Sequence, residues 1–148
     1  MKIYLASPFF NEDEKRVYNH AIHILRSQGY DVFVPQEHEI PNGWEMPNPL
    51  WAEAVFAVDY LAIQKCDVMV VLNWGMYSDT GTAWECGCAY AMGKKIVNIL
   101  CGDEPESGEY SLMMLNGCNT YITFADFEKH WFGDVLEDKV AKPTTEQK

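Results

Sequence analysis

The sequence predicts an α/β protein: a doubly wound, five-stranded parallel sheet with helices on both faces. Short β-type runs alternate with helical patterns along the whole chain, which is the pattern of repeated βα units. The run Val68–Leu72 is apolar at every position, as expected for an interior strand that helices cover on both sides. The length of 148 residues fits one domain, and the hydrophobic fraction of 48% is enough for a core.

The first third of the chain contains two predicted strands around one helix. Lys2–Ala6 is a short apolar run and predicts the first strand. Asp13–Gln28 predicts a helix because apolar residues recur at helical spacing, and Gly29 is suited to end it. Asp31–Val34 predicts the second strand, which ends before a proline.

A long loop and two helices surround the central strand. Gln36–Pro49 holds three prolines and a glycine, so we expect a loop there. Leu50–Gln64 predicts a helix, and Asp67–Leu72 predicts the apolar strand. Thr80–Met92 predicts a further helix, and the glycine that follows is a suitable stop.

The last third of the chain is predicted to contain two strands and two short helices. In chain order these are a strand at Lys95–Leu100, a helix at Tyr110–Leu115, a strand at Thr120–Phe124 and a helix at Ala125–Phe132. Residues 142–148 form a polar tail that we expect to fray. Residues 1–141 are therefore predicted to form a single domain.

Charge and composition exclude several classes of partner. Eleven Lys and Arg against 22 Asp and Glu give a net charge of −11, which repels the phosphates of nucleic-acid polymers. No apolar run approaches the roughly 20 residues of a membrane span, and the start of the chain is too short for a secretion signal. The five cysteines form no C-x-x-C pair, which favours free thiols in a reducing cytoplasm and no metal site.

Ligands of doubly wound sheets bind beyond the carboxyl ends of the strands, where the strand order reverses. The predicted loops that reach this edge are Ser7–Glu12, Gln36–Pro49, Asn73–Asp79 and Cys101–Gly108. We expect the functional residues on these loops and on the helix starts that follow them.

Glu85 is the only charged residue of the predicted helix Thr80–Met92. A lone carboxylate among small and apolar residues is costly to bury unless the protein uses it. Its small neighbours, among them Gly81, would let a substrate approach closely. The alternative is a carboxylate that is exposed on a narrow polar stripe or paired with a lysine.

Three other residues have both a structural and a functional interpretation. Asp79 precedes that helix and is suited to cap it, although a cap at this edge can also face a ligand. Asp59 lies six residues after Glu53 on one predicted helix, so the two carboxylates face different sides, and Asp59 faces either water or a cleft. The hydroxyl of Tyr4, in the first strand, is either satisfied in the core or orients a carboxylate.

Three segments together resemble the nucleoside 2-deoxyribosyltransferases. They are Lys2–Glu12, Val55–Asp59 and Asp79-Thr-Gly-Thr-Ala-Trp-Glu85. The resemblance implies a flavodoxin-like fold and the transfer of 2-deoxyribose between nucleobases. It implies deoxynucleosides and free nucleobases as partners, and this chemistry requires no metal or organic cofactor.

The resemblance also implies roles for individual residues. Glu85 would be the nucleophile that attacks the anomeric carbon, and Tyr4 would hydrogen-bond to it and orient it. Asp59 and Asp79 would hold the base and manage its proton. A base leaves poorly unless it gains a proton, so one carboxyl group must stay protonated, as mutual repulsion and desolvation allow.

The family pattern further implies a shared pocket. Phe10 and Trp51 would help to wall it. A residue of a neighbouring subunit completes the sugar site in the family and precedes a Leu-Met pair, so Ser111 is the matching position here, with Met113 at the substrate. Many members have Asn there, so Ser111 is a departure that affects the contact with the 5′-hydroxyl. A shared site implies a homo-oligomer, at least a dimer, and the family suggests a hexamer.

Two alternatives stay open at this point. A hydrolase of 2′-deoxynucleoside 5′-monophosphates could use the same fold, but its phosphate site would require a serine- or amide-rich pocket with Arg or Lys nearby. The first loop instead has Pro8-Phe9-Phe10 followed by acidic residues, which favours uncharged nucleosides. A non-catalytic nucleotide-binding sensor would need the carboxylates only for structure.

Overall fold

Five parallel strands form the central sheet in the part of the chain that the computed structural model describes, residues 1–77, 79–103 and 108–148. They are β1 (Lys2–Ala6), β2 (Asp31–Phe33), β3 (Val68–Asn73), β4 (Lys95–Leu100) and β6 (Thr120–Thr123), and a separate pair consists of β5 (Glu109–Tyr110) and β7 (Glu146–Gln147). The spatial order is β2-β1-β3-β4-β6. This order confirms the predicted fold class and reverses at β1, so the expected ligand edge lies where β1 and β3 end.

Six α-helices accompany these strands in the described residues. They are α1 (Glu12–Ser27), α2 (Asn48–Lys65), α3 (Thr80–Ala91), α4 (Leu112–Asn116), α5 (Phe124–Lys129) and α6 (Phe132–Leu136). A capping box begins α1: the Asn11 side chain accepts from the Glu14 amide at 2.8 Å, and the Glu14 side chain accepts from the Asn11 amide at 3.3 Å. The predicted long loop before α2 contains two short 3-10 turns, Pro35–Glu37 and Gly43–Glu45.

The two faces of the sheet pack against different helices. On one face Leu5 and the α1 residue Leu25 belong to one fully buried cluster. On the other face Tyr4 packs with Ile63 of α2 and Cys86 of α3. Every residue of β3 is buried, as its apolar sequence predicts. Each fully buried side chain of this kind contributes roughly 1.5–3 kcal/mol, so both helix layers are fixed firmly to the sheet.

The structure differs from the sequence prediction in the last third of the chain. Tyr110, expected to begin a helix, lies in β5 and pairs with Gln147. The single helix expected over Ala125–Phe132 is two helices, because the backbone is extended at His130, between α5 and α6. The first difference arises from a contact between distant segments, and the second from the local backbone geometry at His130. A periodic sequence pattern reveals neither.

The expected fraying of residues 142–148 is wrong for the end of this tail. The Lys148 amide donates to the Tyr110 carbonyl at 3.0 Å, and the Leu112 amide donates to the Lys148 carbonyl at 2.9 Å. The Asn116 side-chain amide donates to Gln147 Oε1 at 2.8 Å. The tail therefore holds the segment that leads into α4.

In the described ranges, no helix is both long and apolar enough to cross a bilayer. The same ranges contain no group of three or more His, Cys, Asp or Glu side chains arranged to hold a metal ion. The five cysteines are free thiols. Of the predicted loops Asn73–Asp79 and Cys101–Gly108, residues 78 and 104–107 lie outside the described residues.

Candidate active site

A cavity of about 590 Å³ lies between α2 and α3. Its wall is mainly apolar, and two carboxylates line it. Four of the residues singled out from the sequence lie in this wall: Trp51, Asp59, Gly81 and Glu85. The fold therefore brings together the two segments that carry the predicted acids.

Glu85 lies on α3 and accepts a hydrogen bond on Oε2 from the Tyr4 hydroxyl. Burial raises the pKa of Glu85 to about 7; the Tyr4 hydrogen bond opposes this rise, and the charges of Asp59 and Asp79 add to it. The carboxylate is partly buried, and its hydrogen-bond partner is a tyrosine. It is therefore neither an exposed surface group nor one half of a lysine pair.

Tyr4 comes from the middle of the sheet, and its side chain is fully buried. Its ring stacks on Phe33 of β2 with 5.3 Å between centroids. Burial raises the pKa of the Tyr4 hydroxyl far above its ordinary value, and the charge of Glu85 acts in the same direction. The hydroxyl therefore stays protonated and serves Glu85 as a hydrogen-bond donor.

Asp59 projects from α2 into the same cavity. Burial raises the pKa of Asp59 to about 6, and the nearby His38 opposes that rise. Glu53, on the same helix, is exposed, as the six-residue spacing predicts. Of the two interpretations of Asp59, the cleft-facing one describes the structure.

Asp79 is the N-cap of α3, which confirms its predicted structural role. Its Oδ2 atom accepts from the Thr82 amide and from Thr82 Oγ1, both at 2.9 Å. A Cβ at Gly81 would lie 3.2 Å from the same oxygen, so glycine leaves room for the carboxylate over the helix start. Because the charge of Asp79 also raises the pKa of Glu85, the cap contributes to the electrostatics of the cavity.

Of the two predicted wall aromatics, the structure brings one to the cavity. Trp51 lines it, and a Cβ at Gly43 would lie 2.8 Å from Trp51 Cδ1, so Gly43 lets the loop lie directly on the indole. Phe10 is 76% exposed and stacks on Phe9 with 6.1 Å between centroids. Phe10 is not part of the cavity lining within one chain.

Ser111 and Met113 lie at a second cavity, of about 520 Å³, between α3 and α4. Tyr90 and Cys86 line it from α3. Within one chain neither Ser111 nor Met113 lines the cavity of Glu85. Their predicted role therefore requires a second copy of the chain.

Reasoning from the sequence missed three aromatic residues of the wall: Phe56, Tyr60 and Trp84. Phe56 stacks on Tyr60 at 5.9 Å and meets Trp84 edge to face at 5.3 Å, measured between ring centroids. Two signals could have found them. Phe56 and Tyr60 have the four-residue spacing of helix neighbours, and Trp84 directly precedes Glu85.

The family model described as nucleoside 2-deoxyribosyltransferase matches residues 3–129. The chain belongs to the nucleoside 2-deoxyribosyltransferase family. This confirms the resemblance of the three sequence segments. The family consists of enzymes that act on nucleosides and nucleobases. No curated protein matches the chain.

Solved structures of related proteins share the fold. A 2-deoxyribosyltransferase from Bacillus psychrosaccharolyticus is 34% identical with a TM-score of 0.74, over 97% of this chain and 98% of that chain. A CMP N-glycosidase from Clostridium botulinum is 24% identical with a TM-score of 0.57, over 93% and 97%. A 2-deoxyribosyltransferase from Leishmania mexicana is 19% identical with a TM-score of 0.61, over 94% and 99%. The last two show a common fold alone.

Proposed function

We propose that this nucleoside 2-deoxyribosyltransferase family member transfers 2-deoxyribose between nucleobases by double displacement. The intermediate is a covalent deoxyribosyl ester of Glu85, and its slow hydrolysis is a side reaction. The observation that carries the proposal is the Glu85 carboxylate, which the Tyr4 hydroxyl holds in a mainly apolar cavity that also contains Asp59.

In the first step, the ionised Glu85 carboxylate attacks C1′ of the donor, and the bond from C1′ to the base nitrogen breaks through an oxocarbenium-like state. The bonding electrons leave with the base, which takes a proton from a carboxyl group of the site. The second base then attacks C1′, gives up its own proton to that carboxylate and releases Glu85. Water in place of the second base gives free deoxyribose.

Each acid has a part in this scheme. Tyr4 binds Oε2 of Glu85, which leaves Oε1 for the sugar. Asp59 is the proton carrier, because burial raises its pKa to about 6 and it is therefore partly protonated close to neutral pH. Asp79 accepts its two capping hydrogen bonds on Oδ2, so Oδ1 is left to accept from an N–H of the base.

The wall supports binding of an uncharged deoxynucleoside. Trp51 would cover the base and Gly81 would admit the substrate to the start of α3. A 2′-hydroxyl in this mainly apolar space would be buried without a partner, which favours 2-deoxyribose over ribose.

A second copy of the chain would complete the sugar site with Ser111 and Met113, so we propose a homo-oligomer, a dimer or a hexamer. Large apolar side chains on α3 and α4 are exposed in the single chain: Trp84 (49%), Tyr90 (63%), Leu112 (45%) and Met113 (75%). Neighbouring exposed apolar side chains are typical of an interface. The proposed place of Phe10 in the pocket wall likewise needs the second copy or a movement of its loop.

Subunit complementation tests the shared site. Ser111→Trp should block the neighbour's sugar site, and Glu85→Gln should remove the nucleophile, so each variant alone should be inactive. A co-expressed mixture should regain activity, because one copy supplies Glu85 and the other supplies Ser111. A mixture that assembles and stays inactive would contradict the shared site.

The second candidate reaction is hydrolysis of 2′-deoxynucleoside 5′-monophosphates. It is favoured by the fold shared with the CMP N-glycosidase. It is opposed by the charge of the cavity, because the described residues that line it include two carboxylates and no lysine or arginine for a phosphate.

A base-exchange assay separates these possibilities. The protein is incubated with deoxyinosine or with deoxyinosine 5′-monophosphate, each with and without adenine. Deoxyadenosine supports transfer, free deoxyribose 5-phosphate supports the hydrolase, and binding without either product supports a sensor.

The nucleophile is tested by substitution and by trapping. Glu85→Gln should keep the fold and lower exchange by orders of magnitude, and mass spectrometry of the wild type with donor should show a deoxyribosylated peptide that contains Glu85. Glu53→Gln changes an exposed carboxylate of α2 and should keep wild-type activity. Unchanged turnover in Glu85→Gln would rule out the assignment.

A further inference from the structure

Three aromatic rings form a continuous stack that begins at Tyr4, the hydrogen-bond partner of Glu85. The rings of Tyr4 and Phe33 lie 5.3 Å apart with 20° between their planes, and those of Phe33 and His38 lie 4.3 Å apart with 16°. The Tyr4 end is bonded to Glu85, and the His38 end is exposed, in the loop after β2. The stack therefore fixes the His38 ring against the sheet although the residue belongs to a loop.

The stack places His38 beside the part of α2 that carries Asp59. His38 lines a groove together with Phe33 and with two α2 residues, Val58 and Ala62. Ala62 follows Asp59 by three residues, so the two are neighbours on the helix surface. His38 thus lies against the part of α2 that carries Asp59, in the groove that β2 lines, whereas Glu85 lines the cavity of Asp59 from α3.

The titratable groups that interact electrostatically with Asp59 come from four elements. They are Tyr4 on β1, Tyr18 on α1, Glu85 on α3 and His38 on the loop. Of these groups in the described residues, His38 is the one that can carry a positive charge. Burial raises the pKa of Asp59, and the charge of His38 acts in the opposite direction.

We propose that His38 is a positioning residue of the transfer reaction, which places a positive charge beside Asp59 through its seat on Phe33. This inference rests on the proposed function and adds a residue to which that function gives no role. A protonated imidazole at this position favours the Asp59 carboxylate. Asp59 is then ready to accept the proton that the incoming base gives up. His38 does this without contact to the substrate.

Two substitutions separate the charge from the stacking. His38→Phe keeps a ring on Phe33 and removes the charge, whereas His38→Lys keeps a charge and removes the ring. The pKa of Asp59 is measured from its ¹³C carboxyl resonance, which Asp59→Asn assigns. His38→Phe should raise the pKa of Asp59 by a few tenths of a unit, as expected for loss of an exposed opposite charge. The limb of the kcat/KM profile that reports the ionisation of Asp59 should shift to higher pH by the same amount.

The controls distinguish this effect from a structural one. His38→Lys should keep the pKa of Asp59 near its wild-type value. His23→Phe makes the same change at an exposed histidine of α1 and should leave the pKa of Asp59 unchanged. If the wild type exchanges bases and the pKa of Asp59 is the same in His38→Phe, the role of His38 is overturned. If the wild type exchanges no bases, the proposed function itself is overturned, whatever the titration shows.

Discussion

At the scale of single residues, the proposed nucleophile, Glu85, lies where ionisation is disfavoured. Burial raises the pKa of Glu85 to about 7, so near neutral pH a large part of the molecules carry the protonated form. The proposed reaction requires the ionised form. Because the cavity buries the Glu85 carboxylate, its ionised form destabilises the folded state relative to the protonated form.

This cost should appear in the stability of Glu85→Gln. A carboxyl group whose pKa is raised by folding stabilises the fold below its unfolded pKa, and that contribution is lost as the pH rises through the folded value. The wild type should therefore lose about 3 kcal/mol relative to Glu85→Gln between the ordinary pKa of 4.5 and a pH above about 7, measured by urea unfolding. Glu53→Gln should show no such change with pH, and a pH-independent difference for Glu85→Gln would contradict the raised pKa.

Tyr4→Phe should separate orientation from packing. The ring and its stack on Phe33 remain, but the hydrogen bond to Glu85 is lost. A hydrogen bond to a charged group is worth about 1.5–3 kcal/mol, so kcat should fall by about ten- to a hundredfold. Because that bond lowers the pKa of Glu85, the acidic limb of the kcat/KM profile should move to higher pH. A profile that stays in place would show that Tyr4 has only a packing role.

The sequence indicated part of the site at this scale, and the reason for the rest is physical. Glu85 stood out because a lone charge in an apolar helix is unusual, and its pairing with Tyr4 came from the family pattern. The position of Phe10 outside the cavity depends on the conformation of its loop, in which the Phe10 ring stacks on the adjacent Phe9. The cluster around Phe56 depends on how α2 meets α3, which no local spacing determines.

At the scale of elements, α3 joins helix initiation to the electrostatics of the cavity. Asp79 begins the helix, and its charge also acts on Glu85. Asp79 therefore has both a capping and an electrostatic effect, and a pair of variants can separate them.

Asp79→Ser should retain the cap and lose the charge, whereas Asp79→Ala should lose both. We expect Asp79→Ala to lower the free energy of unfolding by about 1 kcal/mol, with Asp79→Ser close to the wild type. Base exchange should fall in both variants, because neither presents a carboxylate to the base. Chemical denaturation and the exchange assay measure the two effects, and full activity of Asp79→Ser would restrict Asp79 to its capping role.

The elements themselves were predictable where local patterns decide them. The central strands and the three long helices follow from apolar runs, helical spacing and stop residues. The β5–β7 pair was not predictable, because Tyr110 meets Gln147 from more than thirty residues away and neither strand has a distinctive pattern. Such short parallel pairs depend on tertiary contacts.

At the scale of the whole molecule, the tail closes the fold onto the segment that precedes α4. Ser111 lies between Tyr110 and Leu112, and both of these residues are bonded to Lys148. The tail therefore supports the segment proposed to reach a neighbouring copy.

Removal of residues 143–148 should loosen this segment and leave the sheet intact. In hydrogen–deuterium exchange, the Leu112 amide should lose protection because its acceptor is the Lys148 carbonyl. Amides of β3, which lies in the buried centre, should exchange as in the full chain and serve as the control. Unchanged protection of Leu112 would show that the tail does not support α4.

Tyr4 and the aromatic walls of the cavity belong to different layers of the molecule. Tyr4 is paired on both sides by neighbouring strands, while Phe56 and Trp84 stand on helix surfaces. Substitutions at Phe56 and Trp84 therefore change the cavity wall and leave the strand that carries Tyr4 as it is. Under the proposed transfer reaction, randomising these two aromatic positions should alter the preference for the acceptor base.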